Sequence, residues 1–256
     1  MVEMIVVAAL GLVVGILSSV FGLGGGIIMV PGLTMVSKLS HLQAMATSMG
    51  AIAMLTLWNT CMYSRKGLVN WSVVFWLACG SSLFAFTAAR LAPLLPEALL
   101  IGIMMVFLLY LAYRTFRLGT IKAREKGRKS PLRSFGIGAT SGTVAGFTGI
   151  GGGGITTPLM LVSGLVVNET AAPTSNAIMI FTAVAACISY AGRGVCSFPE
   201  VGLIHADYSL LLALGSVLSS FAGARLNAVL SLRLRKMILG FILLTIGARL
   251  GLQLLW

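Results

Sequence analysis

The sequence predicts an all-α integral membrane protein with two homologous, inverted repeats of four hydrophobic segments, the first segment of each repeat being broken at a glycine-rich run. Three observations support this fold class. Hydrophobic residues make up 58% of the 256 residues and charged residues only 9%, whereas a soluble domain is about one quarter charged. Apolar stretches recur along the whole chain, and a glycine–proline pattern occurs twice. The composition therefore excludes an ordinary soluble globular protein.

Eight apolar segments account for most of the chain. Most of them are about 20 residues long, which matches a hydrocarbon core of about 30 Å at about 1.5 Å per helical residue. The first segment is too long and too rich in glycine for a cleaved signal peptide. The segments comprise approximately residues 4–37, 42–62, 71–90, 97–113, 134–165, 171–191, 207–226 and 236–254.

The chain is an internal duplication. A shift of 127 residues superimposes the first half on the second without a gap, and beyond about residue 198 the shift becomes 135, so the second half carries about eight extra residues. We divide the chain into membrane repeat 1 (1–113), a basic linker (114–133) and membrane repeat 2 (134–256). The residues that coincide include Gly22 to Gly26 with Gly149 to Gly153, Pro31 with Pro158, and Thr47-Ser48 with Thr174-Ser175.

The distribution of basic residues predicts the orientation. The linker 114–133 holds eight Lys or Arg residues and one Glu, and the positive-inside rule places such a run in the cytoplasm. We therefore expect a multi-pass protein of the inner cell membrane. The net charge of +12 does not indicate nucleic-acid binding, because the basic residues occupy short connections between apolar segments. The lipid bilayer is the partner that this composition predicts, and a homodimer stays open.

If the first segment of each repeat is broken, the two repeats have opposite orientations in the membrane. If this segment enters the membrane, breaks at its glycines and returns to the same side, then Arg65, Lys66, the linker and the connection 226–236 all face the cytoplasm. This arrangement leaves an odd number of crossings in each half, so the halves have opposite orientations. Inverted repeats with helices broken at mid-membrane are a hallmark of secondary transporters.

The glycine runs are the candidate substrate site. In lipid, backbone N–H and C=O groups must be paired unless they line a polar cavity. If a helix begins after each run, at about Ile27 in the first half, its first N–H groups are unpaired and carry the positive end of the helix dipole. We place Pro31 near the first turn, where a missing N–H costs least. Two such helix starts would bind a small anion.

Nearby hydroxyl and amide groups extend this site. The middle of every apolar segment lacks Asp, Glu, Lys and Arg, and this absence of charged side chains favours an anion held by helix dipoles and hydroxyl groups. Four isolated glycines are instead expected to serve helix packing: Gly11, Gly15, Gly138 and Gly142. Asn59 is expected to bond across helices. The predicted substrate-binding residues are Gly24, Gly25, Gly26, Gly151, Gly152, Gly153, Gly154, Thr47, Ser48, Thr156, Thr174, Ser175 and Asn176, and the helix-break residues are Gly22, Pro31, Gly149 and Pro158.

Three other functions are alternatives. An anion channel also uses broken helices with glycine backbones. A soft-metal transporter would use Met and Cys sulfur atoms, although the four cysteines form no C-x-x-C pair and small apolar packing explains them. An intramembrane enzyme is the third alternative, but the sequence contains no paired carboxylates, no His cluster and no nucleophile–base spacing. We therefore predict no enzyme activity, no cofactor and no metal.

These motifs resemble the TauE/SafE family of membrane transporters, the sulfite exporter family. The resemblance covers essentially the whole chain and is carried by the G-x-G-G-G-x-x-x-x-P run at Gly22–Pro31 and again at Gly149–Pro158, by the T-S pairs, and by the G-A-R-L stretch at Gly223–Leu226. It implies export of small sulfur-containing anions: sulfite, sulfonates or related organic acids. The sequence departs from the pattern with Ala88 before Ala89-Arg90-Leu91, with the insertion near Pro199, and with a four-glycine run at Gly151–Gly154.

Overall fold

Ten α-helices form the protein in the computed structural model, which describes residues 2–21, 24–37, 39–117, 130–193, 196–197 and 199–255. Each half contributes five helices, because the predicted first segment of each half is divided into two. The first half contains α1 (Val2–Phe21), α2 (Gly26–Val36), α3 (His41–Arg65), α4 (Trp71–Leu91), a short 3-10 helix (Ala92–Leu94) and α5 (Glu97–Arg117). The second half contains α6 (Pro131–Thr148), α7 (Gly153–Val162), α8 (Asn168–Ala191), α9 (Ala206–Val229) and α10 (Leu232–Leu255).

The helices are those of a membrane protein. Among the described residues, six helices are long and apolar enough to cross a bilayer, and two shorter apolar helices, α2 and α7, accompany them. The prediction of an all-α integral membrane protein is thereby confirmed. The six spans are Val2–Val20, Trp71–Leu94, Glu97–Phe116, Asn168–Ala191, Ala206–Gly223 and Met237–Leu254.

The centre of the molecule is formed by α3 and α8. Side chains such as Ile52, Leu55 and Ile178 are completely or almost completely buried there. The helices α5 and α10 instead expose large apolar side chains, for example Val106 at 63% and Phe241 at 71% exposure. Such a surface is stable next to lipid, where apolar side chains need no cover.

Small residues bring the helices of opposite halves together. A Cβ at Gly11 would lie 2.9 Å from the Leu212 carbonyl oxygen, so α1 and α9 touch through their backbones. In the same way, a Cβ at Gly142 would lie 2.7 Å from the Ser81 Cα, where α6 meets α4. Close backbone approach through glycine is a common basis of helix association in membranes. The packing role predicted for these glycines therefore agrees with their contacts.

The helix contacts repeat when the two halves are exchanged. The helix α4 packs against α6 and α8, and its equivalent α9 packs against α1 and α3. The equivalent helices α5 and α10 also contact each other, from Gly240 against Phe116 at one end to Gly251 against Met105 at the other. These two helices are therefore antiparallel, which is the arrangement that inverted repeats predict.

The insertion in the second half folds as a small sheet, which the sequence did not predict. Its antiparallel strands are β1 (Cys196–Ser197), β2 (Glu200–Val201) and β3 (Ile204–His205), in the order β1-β2-β3. These residues lie outside any helix, so their backbone groups need other partners, and the ladder between the strands supplies them. The sheet connects α8 to α9 and contacts α3.

Both ends of the predicted linker are helical. The helix α5 continues to Arg117, and α6 begins at Pro131, with proline at its first position, where the missing N–H costs no hydrogen bond. The middle of the linker, residues 118–129, lies outside the described residues. Its cytoplasmic location stays a prediction.

Replacing Gly142 by Val should destabilise the protein, because the added side chain would overlap the Ser81 backbone. Overpacking of this kind typically costs about 1–3 kcal/mol. Gly136→Val is the matched control, since Gly136 lies on the same helix and a Cβ there meets no atom within 4 Å. Thermal melts of both variants in detergent, followed by tryptophan fluorescence, test the prediction. Equal melting temperatures would show that α6 does not depend on this contact.

Candidate functional site

The first glycine run reverses the chain between α1 and α2. Gly24 and Gly25 have φ values of +75° and +80°, in the left-handed region that glycine adopts without a steric penalty. Gly25 is the N-cap of α2, and its carbonyl oxygen accepts hydrogen bonds from the N–H groups of Ile28 and Met29 at 3.1 and 3.2 Å. The N–H groups of Gly26 and Ile27 precede these bonds and have no partner within the helix.

The second glycine run repeats this geometry. Gly149 ends α6 with a φ of +70°, and Gly152, with a φ of +81°, is the N-cap of α7. The Gly152 carbonyl oxygen accepts hydrogen bonds from the N–H groups of Ile155 and Thr156, both at 3.0 Å. The N–H groups of Gly153 and Gly154 are therefore the donors without a partner in this helix. Gly22, the predicted counterpart of Gly149, lies outside the described residues.

The two glycine runs touch each other inside the helix bundle. A Cβ at Gly26 would lie 2.6 Å from the Cα and 2.7 Å from the carbonyl oxygen of Ile150. Residues Gly24 to Gly26 and Gly151 to Gly154 are all buried. The structure thus brings the two predicted half-sites together, each beside the first turn of a short helix.

Apolar side chains fill the space beside this contact. A Cβ at Gly151 would lie 3.1 Å from both the Ile52 Cγ2 and the Met179 Cε, and Met179 also covers Gly24. Ile52 and Met179 are 0% and 1% exposed, and they coincide when the sequence is shifted by 127 residues. Together they form an apolar seal.

Thr47 and Thr174 tie the two halves together. The Thr47 hydroxyl oxygen accepts a hydrogen bond from the backbone N–H of His205 at 3.1 Å. At the equivalent place, the Thr174 hydroxyl oxygen accepts one from the N–H of Asn70 at 3.2 Å. His205 and Asn70 are the N-caps of α9 and α4. Each threonine therefore positions the start of a helix that belongs to the other half.

The neighbouring polar residues differ between the halves. Ser48 donates from its hydroxyl to the Gly149 carbonyl oxygen at 2.9 Å and so holds the end of α6. Its counterpart Ser175 is 1% exposed, and its hydroxyl has no hydrogen-bond partner among the described residues. Asn176 accepts a hydrogen bond from the Asn59 amide at 3.3 Å, so Asn59 does bond across helices as predicted.

The second glycine run has the more polar surroundings. The hydroxyl oxygens of Ser141 and Thr156 lie 3.1 and 3.0 Å from the Gly152 carbonyl oxygen and within hydrogen-bond distance of each other. In the first half, the equivalent positions hold Val14 and Met29. The two half-sites are therefore chemically unequal.

The prolines lie deeper in their helices than the sequence suggested. Pro31 and Pro158 each occupy the sixth position of their helix, in the second turn, so the placement near the first turn was too early. A proline in the interior supplies no N–H to the carbonyl four residues before it. Behind Pro158 this is the carbonyl oxygen of Gly154. Arg114 supplies the missing donor, with its Nη1 at 3.3 Å from that oxygen.

Sequence reasoning missed Arg114 because it assigned this residue to the basic linker. One signal was present: Arg114 coincides with Arg249 at the shift of 135 residues, within the pair of stretches FLLYLAYR and ILLTIGAR. The position of Pro158 was the second signal, since it predicts an unpaired carbonyl at Gly154. Arg114 thus connects α5 to the first turn of α7.

Arg114→Ala should lower the free energy of unfolding by about 1 kcal/mol, because the Gly154 carbonyl loses a charged donor in a half-exposed setting. The same substitution in a Pro158→Ala background should cost less, since the backbone N–H restored at position 158 then binds that oxygen. Thermal melts of the four proteins form a double-mutant cycle with an expected coupling of about 0.5–1 kcal/mol. Equal costs in both backgrounds would contradict the assigned role.

Comparisons with known proteins agree with these features. The family model described as sulfite exporter TauE/SafE matches residues 7–250. The chain is 25% identical to a probable membrane transporter protein, YunE, of Bacillus subtilis, with 96% of each chain covered, and 24% identical to one of Methanocaldococcus jannaschii, with 93% of this chain and 91% of that protein covered. No solved structure matches the chain significantly. The protein is a multi-pass membrane protein that belongs to the TauE/SafE sulfite exporter family.

Proposed function

We propose that this protein is a secondary transporter that exports small sulfur-containing anions, such as sulfite, sulfonates or related organic anions, across the inner membrane by alternating access. Its family and its relatives, which are named probable membrane transporter proteins, support a role in transport. One observation carries the proposal further: two glycine-capped helix starts, one from each half, touch inside the bundle.

The chemistry of this contact favours an anion. The first N–H groups of α2 and α7 are unpaired within their helices and carry the positive ends of the helix dipoles. Helix starts bind small oxyanions without a charged side chain. The middle of the apolar segments has no ionisable residue, and the charged group that reaches the second helix start is the cation Arg114, whose Nη1 lies 3.3 Å from the Gly154 carbonyl oxygen.

The repeated contacts and the seal favour alternating access. Each half supplies one glycine run, one seal residue and one threonine tie. Movement of one half relative to the other would displace Ile52 and Met179 and uncover the N–H groups. In inverted repeats, the same movement closes one side and opens the other. The predicted cytoplasmic linker defines which side is the inside.

A channel is the main alternative, because glycine backbones also line pores. The filled contact between the two runs favours a carrier, which must close around its substrate. A soft-metal transporter is less well supported. Three of the four cysteines, Cys61, Cys79 and Cys187, lie on three different helices, and the described residues contain no group of three potential metal ligands.

Transport assays in proteoliposomes test the proposal. Sulfite, thiosulfate, taurine, sulfoacetate and lactate are offered to vesicles that contain the purified protein. A carrier predicts saturable uptake of at least one sulfur oxyanion and counterflow from preloaded vesicles. Flux that rises linearly with concentration and shows no counterflow would indicate a channel. A variant with all four Cys replaced by Ala should keep the anion flux, and its loss would favour the soft-metal alternative.

Gly26→Ala should reduce anion flux at least about tenfold while the protein still inserts into the membrane. The added methyl group would lie 2.6 Å from the Ile150 Cα, closer than real Cβ contacts, so the two runs would be pushed apart. Gly102→Ala is the control, since a Cβ at this helical position meets no atom within 4 Å. Initial rates normalised to inserted protein measure the effect. Similar rates for both variants would remove the glycine contact from the transport mechanism.

A further inference from the structure

A cluster of uncharged polar residues lies between α3 and α8. The Asn59 amide nitrogen donates to the Asn176 side-chain oxygen at 3.3 Å, and the Asn176 amide nitrogen donates to the Ala172 carbonyl oxygen at 2.9 Å. One asparagine comes from each half of the chain. The pair therefore joins the two central helices α3 and α8.

Two buried hydroxyl groups, on the residues adjacent in sequence to this pair, have no hydrogen-bond partner among the described residues. Thr60 follows Asn59 and is 4% exposed, and Ser175 precedes Asn176 and is 1% exposed. Neither hydroxyl oxygen makes a hydrogen bond to any part of the chain that the structure describes. Other buried threonines of these helices bond to their own backbone, as Thr56 does to Ile52 at 2.7 Å. A buried hydroxyl without a partner is costly and calls for an explanation.

The cluster occurs once, although the fold is duplicated. A shift of 127 residues replaces Asn59 by Ala186, Thr60 by Cys187 and Asn176 by Met49. Ser48, the counterpart of Ser175, is bonded to the Gly149 carbonyl oxygen. The cluster therefore belongs to one side of the pseudo-symmetry axis, and its two unpartnered hydroxyls are available to a ligand.

The position of the cluster links it to the glycine runs. Met179 follows Ser175 by four residues and Asn176 by three, so all three share one face of α8. Since Met179 contacts Gly24 and Gly151, the cluster lies about one helical turn, roughly 5.4 Å along α8, from the seal.

On the side of the cluster away from Met179 lies the connection between α3 and α4, which carries basic residues. Thr174, the residue before Ser175, binds the Asn70 N–H at 3.2 Å. Asn70 begins α4 and closes a short connection that carries the exposed Arg65 and Lys66. Positive charge at this end would attract anions toward the cluster.

We propose that Asn59, Thr60, Ser175 and Asn176 form an outer subsite for an oxyanion, on the Arg65 side of the seal. This inference rests on the proposed anion transport and adds a second binding position to it. The Thr60 and Ser175 hydroxyls and the free N–H of the asparagine pair donate to the anion oxygens, and such charge-assisted bonds are strong. Met179 separates this subsite from the glycine runs.

Binding of sulfite and taurine to the purified full-length protein, measured by calorimetry, tests the subsite. Thr60→Val and Ser175→Ala should each weaken binding about tenfold or more, the usual effect of one lost hydrogen bond to a charged group. Thr60→Ser keeps the hydroxyl and should retain wild-type affinity. Ser189→Ala is the matched control, because it removes an equally buried and unpartnered hydroxyl from the same helix as Ser175. Its affinity should not change.

The melting temperatures without ligand give a second readout. All three hydroxyl deletions should melt at or above the wild-type temperature, since each removes an unpaired buried group. If Thr60→Val and Ser175→Ala bind both anions as tightly as Ser189→Ala does, the subsite is wrong, while anion binding by the wild type still supports the proposed function. If the wild type binds neither anion, the subsite and the proposed anion transport both fail.

Discussion

Backbone hydrogen bonding inside an apolar solvent is the constraint on which the rest of this structure depends. A helix that stops in the membrane leaves N–H and C=O groups without water as a partner. Here each break contains glycines in the left-handed conformation, among them Gly25 and Gly152 at the starts of α2 and α7, and the two runs lie against each other rather than against lipid. The same constraint explains Arg114, which supplies the donor that Pro158 cannot give to Gly154.

The proposed mechanism depends on the duplication of the chain, because each half contains one glycine break. Because both halves contain the same break, the helix starts of the two halves meet beside a seal of Ile52 and Met179. The ties from Thr47 to His205 and from Thr174 to Asn70 connect each half to the start of a helix in its partner half. A movement at the seal would therefore be coupled to the positions of α4 and α9. The polar groups of the two halves are unequal, as at the equivalent positions Thr156 and Met29.

Much of the fold could be predicted from the sequence, because lipid imposes simple rules on length, composition and backbone pairing. The apolar segments, the helix starts after the glycine runs and the packing glycines all follow from these rules. The sheet at Cys196–His205 did not, since its strands are only two residues long and too short to leave an alternating pattern in the sequence. The partners of Thr47 and Thr174, the seal residues and the role of Arg114 depend on contacts between distant parts of the chain, which spacing alone does not reveal. Whether the predicted site residues bind substrate stays a prediction.

The most direct measurement is a structure of the protein with bound selenite, a heavier analogue of sulfite whose selenium is located by anomalous scattering. The account predicts a state in which Ile52 and Met179 have moved and an anion oxygen lies about 2.7–3.2 Å from the N–H nitrogens at the start of α2 or α7. A transport-competent complex in which the anion contacts none of these nitrogens, and the two glycine runs stay packed together, would contradict it.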